Sequence, residues 1–366
     1  MRPETEAELA EIVVGLNGPV RVSGGSTRGV TGPEDVLETT GLSGITLYEP
    51  GALTLVAKAG TPVAEIEAAL EAEGQQLAFE PSDYRELLGT TGEPTIGGVV
   101  AANISGPRRI QAGACRDFLL GVRYVDGHGH VIKNGGRVMK NVTGYDLVKL
   151  MAGSWGTLGV LTEVSLKVLP KPETTTTLSV SVPDADVAVQ VLSKALQSPY
   201  EVTGAAYDPQ KGSAYLRLEG FAGSVKYRSR KLKSELAPFG ALSDHGTTDG
   251  LWQGIRDAHP LAGQTGDVWR ISVKPGDAPR VAEKAGAKQY VLDWGGGLIW
   301  ALVPEGADAR ANLDIFTGHA TIVRAGADTV EALGRFQPVN AALSALSNGI
   351  RRQFDPRDVF NPGLMG

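Results

Sequence analysis

Within its first 170 residues the chain makes three glycine-rich turns, each joined to a short apolar strand pattern. They are Gly24-Gly25-Ser26-Thr27-Arg28-Gly29 after the strand pattern of 19–23, GEPTIGGVVAANISG at 92–106, and the run from Gly153 through Gly156 to Gly159 before the alternating stretch 161–169. Without a Cβ, glycine lets main chain lie close to a flat ligand or take a positive φ. Successive N–H groups in such a turn also form a concave nest for an anion, and Ser23, Ser26 and Thr27 add hydroxyls to the first one. That first turn is neither a Walker loop, since no Gly-Lys-Ser/Thr follows, nor the dinucleotide fingerprint GxGxxG. Each turn alone fits an ordinary reversal as well. Three of them in one chain favour backbone held against a ligand.

The 366 residues are enough for about two domains. A formal charge of -6 lacks the basic footprint of a nucleic-acid binder. Cys115 is the only cysteine, so no internal disulfide can form and a reducing cytosol is the expected setting. The opening MRPETEAELAEIV is acidic, with Thr5 and Glu8 spaced as a capping box, so it is expected to start a helix and not a targeting peptide. No apolar run approaches the ~20 residues of a membrane span.

Strands are expected at 44–47 and 53–57, and a helix from Pro62 to about Glu73, with Gly74 beyond its end. A hairpin is expected at 119–125 and 131–133, turning at Asp126-Gly127-His128-Gly129. A composition shift at 171–177 reads as a linker. Beyond it two βαββα-like series follow, with strands at 178–182, 202–207, 214–218, 268–273, 289–293, 298–302 and 320–323. Helices are expected at 185–196, 224–236, 250–258, 278–285 and 308–316. This order predicts one antiparallel sheet with helices on one face. An amphipathic helix at 339–354 carries Leu343, Leu346 and Ile350, and the tail FDPRDVFNPG reads as tied down.

Arg108 and Arg109, close in sequence to the second glycine turn, offer forks for a carboxylate or phosphate. His128 and His130 flank a turn glycine and read as surface residues, so no metal site is expected. No general base stands out. His245, His259 and His319 are scattered, and each reads as a surface or structural residue.

These pieces in this order resemble the flavoproteins of the vanillyl-alcohol oxidase superfamily, whose PCMH-type FAD domain has two α+β lobes. Arg21 to Gly29 is similar to the family's pyrophosphate loop, Thr95 to Asn103 to the stretch beside the flavin, and Gly153 to Val160 to a second cofactor loop. Phe360-Asn361-Pro362-Gly363 is similar to its tail. The resemblance implies an α+β fold with an FAD domain at 1–170, a small α+β cap with an antiparallel sheet at 171–338, and a segment at 339–366 returning to the FAD domain. It also implies a cofactor shell of Ser23, Gly24, Gly25, Ser26, Thr27, Pro81, Thr95, Gly97, Gly98, Asn103, Ser105, Gly159, Val160 and Asn361.

ISGPRR, GACRDFLLGVRYVDGHG, GGRVMKNVTGYDLVKLMAGSWGTLGVLTEVSLKVLPKPE and the short cap are similar to the smaller FAD-binding subunits of bacterial glycolate oxidases. That resemblance implies a chain working with a larger paralogous flavoprotein and an iron-sulfur subunit to oxidise glycolate to glyoxylate. It further implies a cytoplasmic location, with any membrane contact made through partners. Ser26 and Thr27 stand where relatives with covalent flavin carry a histidine, so FAD is expected to be non-covalent, and Cys115 to be a buried thiol. The HxGDGNxH motif of larger 2-hydroxy-acid dehydrogenases is absent from the sequence. A redox-silent flavin scaffold that stabilises the catalytic paralogue, or a stand-alone FAD-dependent 2-hydroxy-acid dehydrogenase, are the alternative readings.

Overall fold

The computed structural model describes residues 1–137, 144–313 and 317–365. Residues 138–143 of the GGRVMKNVTGYDLVKL motif therefore lie outside the described residues. Thr5 caps the first helix, Glu6–Gly15: its hydroxyl accepts from the Glu8 N–H and Glu8 reaches back to the Thr5 N–H. Ile45–Glu49, Thr54–Lys58, Val160–Lys167, Leu119–Val125 and Val131–Gly135 form an antiparallel sheet in that spatial order. Helix Val63–Ala72 buries Val63, Ile66 and Leu70, and the short helix Ile96–Ala101 buries Ile96, Val99 and Val100 in the same core. Each such aliphatic side chain contributes about 1.5–3 kcal/mol when fully buried.

A second antiparallel sheet runs in the order Leu242–Asp244, Thr174–Ser181, Ser213–Gly220, Gly204–Asp208, Gln289–Asp293, Leu298–Val303, Asp267–Ser272 and His319–Arg324. Its two halves have the same strand order read outward from the middle, where Tyr207 pairs with Leu292. This is the geometry expected of two βαββα units placed edge to edge.

Three expectations are corrected. The stretch read as a linker is a strand from Thr174, paired with Gly220, because a run of β-branched threonines suits a pleated surface. Residues 308–313 are turns and not a helix, and residues 314–316 lie outside the described residues. There the backbone closes three-residue turns, Ala311 N–H to the Asp308 carbonyl and Leu313 N–H to the Arg310 carbonyl, and Asp308 Oδ1 accepts from the Arg310 N–H. Helices Ala185–Gln197, Ala222–Leu236 and Ala278–Lys284 do share one face of the sheet. The opposite face, however, is also covered. Val268, Val291, Trp300 and Leu302 join the core of the first sheet with Phe79, Tyr84 and Leu87. Helix Asp249–Arg256 lies on that second face too, through Trp252 and Ile255 against Ala206 and Tyr215. Burial on both faces explains why the strand LIWALV is apolar throughout.

The two sheets are joined by a buried ion-pair network. Arg217 donates to both oxygens of Glu80, at 2.8 and 3.0 Å, and Arg108 donates to both oxygens of Glu219. Trp294 Nε1 donates to the Gly106 carbonyl at 3.0 Å beside it. Near the chain's end Phe360 is fully buried and bridges Val20.

Side chains of Arg108, Arg217 and Glu219 are only 9, 5 and 7% exposed. Glu219→Ala is therefore expected to destabilise the protein by about 3–5 kcal/mol, because two buried guanidinium groups lose a partner. Glu71→Ala at the exposed Lys171–Glu71 pair is expected to cost less than about 1 kcal/mol. Urea unfolding of the two variants measures the difference.

Candidate functional site

The first glycine turn, the second and the third converge with the tail around a cavity of about 310 Å³. Ser23, Gly24, Gly25, Ser26, Thr27, Thr95, Gly97, Gly98, Gly159 and Asn361 line it, and among the described residues no carboxylate does. Ser26 sits at φ +56° and Gly29 at +60°, the left-handed values that curl a turn into a nest. Among the described residues the backbone N–H groups of residues 25–28 meet no protein acceptor. The Ser23 and Ser26 hydroxyls lie 2.9 Å apart on the same loop. A run of free N–H donors with hydroxyls and no nearby carboxylate is a built anion site.

Helix Ile96–Ala101 is capped by Thr95, whose hydroxyl accepts from the Gly98 N–H. Its glycines do different work. A Cβ on Gly97 would come within 2.7 Å of Ala59, so this glycine lets the helix close onto strand Thr54–Lys58 and its extension. A Cβ on Gly98 would meet only the Thr95 hydroxyl, at 3.3 Å, leaving Gly98 as bare main chain on the cavity wall. Asn361 ties two of the loops together: its side chain accepts from the Val22 N–H at 2.8 Å and donates to the Trp155 carbonyl at 2.8 Å.

A second cavity, of about 340 Å³, adjoins the first and shares Arg28, Ala102 and Trp155 with it. Arg28, Arg109, Arg116, Arg270, Arg335 and His319 line it, and among the described residues no carboxylate does. The Arg109 and Arg270 guanidinium groups stand 4.6 and 4.9 Å from the Trp294 ring centre. Neither is in ion-pair contact with a carboxylate among the described residues. Burial, and for Arg109 the charge of Arg270, hold both below the ordinary arginine range. Arg28 lies over Tyr84 and donates to the Ser82 carbonyl, while its buried Nη1 has no partner. Cations left uncompensated at a cavity wall call for an anionic ligand.

His319, at the exposed rim of this cavity, is held below its usual value of 6.5 by burial and then by Arg270 and Arg109. It is therefore a neutral imidazole at neutral pH. Next to Trp294 in the chain, burial pushes the Asp293 carboxyl up to about 7. Backbone strain gathers here as well. Ser26, Asn103, Trp155, Trp294 and Asn361 all have positive φ and all line one of the two cavities.

The remaining sequence candidates divide clearly. Asn103 and Ser105 line the second cavity, where Asn103 Oδ1 accepts from the Arg116 N–H and Ser105 Oγ from the Cys115 N–H. Pro81 and Val160 are buried and line neither cavity. Arg109 reaches the second cavity, but its neighbour Arg108 does not: it is 8% exposed and held by Glu219. Arg108 is thus a structural ion-pair partner and not a free cation for a ligand. His128 and His130 are exposed in the hairpin turn, and His245 and His259 contact Ser179 and Glu86 away from both cavities. Cys115 is fully buried, and burial pushes its thiol up to about 12. Sequence reasoning missed Arg28, Arg270, Arg335 and, as a site residue, His319. Arg28 lies within the first glycine turn, where nothing marks its side chain as turned to a second cavity; the other three come from the second sheet or the segment after it and have no local motif.

Residues 1–135 match the family model described as the FAD binding domain. The chain is 39% identical over 324 residues, 88% of its length and 84% of the relative's, to glycolate oxidase subunit GlcE of Escherichia coli. It belongs to the GlcE family of glycolate oxidase subunits. A shorter match, 36% identity over 38% of this chain and 28% of the relative, is to glycolate oxidase subunit GlcD of Bacillus subtilis. Among solved structures, an alkyldihydroxyacetonephosphate synthase superposes with a TM-score of 0.72 over 99% of this chain and 76% of its own, at 16% identity, which shows a shared fold.

As a member of the GlcE family the chain is an FAD-binding oxidoreductase subunit, and the first cavity suits that cofactor. Free N–H donors of residues 25–28 match a pyrophosphate, and bare main chain at Gly98 matches a flat ring. Gly98→Val should fill that wall without disturbing the fold. Its flavin content, read from the absorbance of purified protein, is expected to fall at least about tenfold, with the melting temperature of the flavin-free protein unchanged.

Proposed function

We propose that the chain holds FAD non-covalently in the first cavity and a small 2-hydroxy acid, glycolate, in the second, and that it oxidises glycolate to glyoxylate. It would do so in a complex with a larger paralogous flavoprotein subunit and an iron-sulfur subunit. In this reading residues 1–170 bind the flavin, 171–338 cover it and 339–366 return to it. The complex is cytoplasmic, with membrane contact only through partners; among the described residues no helix is long and apolar enough to cross a membrane.

One observation carries the reading: a carboxylate-free cavity of arginines opens beside the anion nest and shares Arg28 and Trp155 with it. Bound FAD supplies the hydride acceptor that oxidation of an alcohol requires. Arg109 and Arg270 would hold the substrate carboxylate, their shared ring Trp294 fixing both guanidinium planes. His319, neutral at neutral pH, would accept the hydroxyl proton. Trp155 and Phe336, edge to face at 5.3 Å, form part of the wall that keeps water from the reacting carbon. Arg335, through the Gly29 and Ile322 carbonyls, holds the cover against the flavin loop.

The redox-silent alternative rests on the missing base and on the absent HxGDGNxH motif, and His319 beside the cavity weakens the first of these grounds. Anaerobic glycolate should bleach the flavin absorbance of the assembled complex; a flavin that stays oxidised while the complex turns over overturns the reading. Arg270→Met is expected to raise KM for glycolate at least about tenfold, by loss of a charge-assisted contact. Because the His319 shift is downward, the reduction rate should rise with pH only below 6.5 and be flat above it. His319→Gln should lower the rate and abolish that rise.

A further inference from the structure

The C-terminal helix, Ala341–Phe354, buries none of its residues completely. Val339, Leu343, Leu346, Ile350 and Phe354 fall on one stripe at steps of four and three, the spacing of a face meant to be covered. At its C-terminal end the stripe is partly covered, since Ile350 and Phe354 pack on the core of the first sheet and Phe354 lies 6.3 Å from Tyr124. Toward its start the same stripe runs out into solvent, with Val339 56%, Leu343 51% and Leu346 62% exposed. Helices of about 12–15 residues are marginal alone in water and depend on packing of their apolar face. This one lacks that packing over half its length.

We propose that this face is where a different subunit docks, through an apolar helix stripe edged with carboxylates; the inference rests on the reading of the chain as one member of a complex. The flanking positions Ala341, Ala342, Ala345 and Ser347 are small and would let a partner helix approach closely. The helix carries the exposed Arg352 and no aspartate or glutamate, so a second copy of this helix would offer that cation no carboxylate, while an acidic rim complements it. The face is also continuous with the site. Arg335 and Phe336 line the second cavity, and Val339 follows Phe336 by three residues, at most about 11 Å of extended chain. A subunit seated there stands beside the second cavity, which adjoins the first and shares Arg28 and Trp155 with it.

The test is co-expression with the larger flavoprotein subunit, tagged, followed by affinity purification and size-exclusion chromatography with light scattering. The wild-type chain is expected to co-purify with that subunit. Leu343→Glu combined with Leu346→Glu should reduce co-purification at least tenfold, while flavin content and melting temperature of the isolated chain stay unchanged. Phe221→Glu with Tyr227→Glu, on the exposed basic helix Ala222–Leu236, should leave co-purification intact. Undiminished binding by the Leu343/Leu346 double variant overturns the surface and leaves the assembly reading standing. A wild-type chain that is a dimer alone, converted to a monomer by the double variant, overturns the choice of partner in favour of a second copy. Failure of the wild-type chain to co-purify overturns the assembly reading and the docking surface together.

Discussion

The Glu80, Arg108, Arg217 and Glu219 network is the constraint on which the rest of the molecule depends. It fastens the strand Ser213–Gly220 of the second sheet to the loop that follows Phe79 and to the segment just after the second glycine turn. Ion pairs this deeply buried rarely add much net stability, because desolvation offsets their attraction. What they do here is fix one orientation of two apolar surfaces that could otherwise slide. The second cavity is a consequence of that orientation, since its wall needs Arg109 and Asn103 from one side and Arg270, Trp294 and His319 from the other.

Charge is distributed around this junction in two different ways. Where arginine serves to hold the fold it meets carboxylates, as Arg108 and Arg217 do. Of the arginines that face the cavity, three are steadied by aromatic rings instead, Arg28 by Tyr84 and Arg109 and Arg270 by Trp294, while Arg116 and Arg335 donate to backbone carbonyls. A ring face attracts a cation without neutralising it. The positive potential therefore survives for a ligand, in a chain whose formal charge is -6. The neutral state of His319 follows first from burial and then from the same crowding of cations.

Much of the first cavity was legible in the residues. Ser23 to Thr27, Thr95, Gly97, Gly98 and Gly159 announce themselves because a turn that must expose main chain has few alternatives to glycine and small hydroxyl residues. The capping box at Thr5, the hairpin at Asp126 and the βαββ order of both series were equally local signals and are seen in the structure. The Thr174–Ser181 strand was obscured by a composition that also suits linkers, and 308–313 by an apolar spacing over residues whose backbone closes only three-residue turns.

By itself, the sequence determined the loops, the strand and helix order and hence the cofactor-binding part of the chain, because these depend on backbone conformation and on periodicities read over a few residues. Only the tertiary structure decided which of two adjacent arginines faces a ligand. Arg108 and Arg109 are chemically alike in sequence, and they differ because Glu219 arrives beside one of them and Trp294 beside the other. The same holds for His319 and Arg270, whose roles rest on a cavity assembled from segments far apart along the chain. It holds too for Leu343 and Leu346, whose spacing promised a core-facing stripe until the fold left that part of the helix without a body beneath it. Burial and charge at a given residue are set by what packs against it, and that is fixed only when distant segments meet.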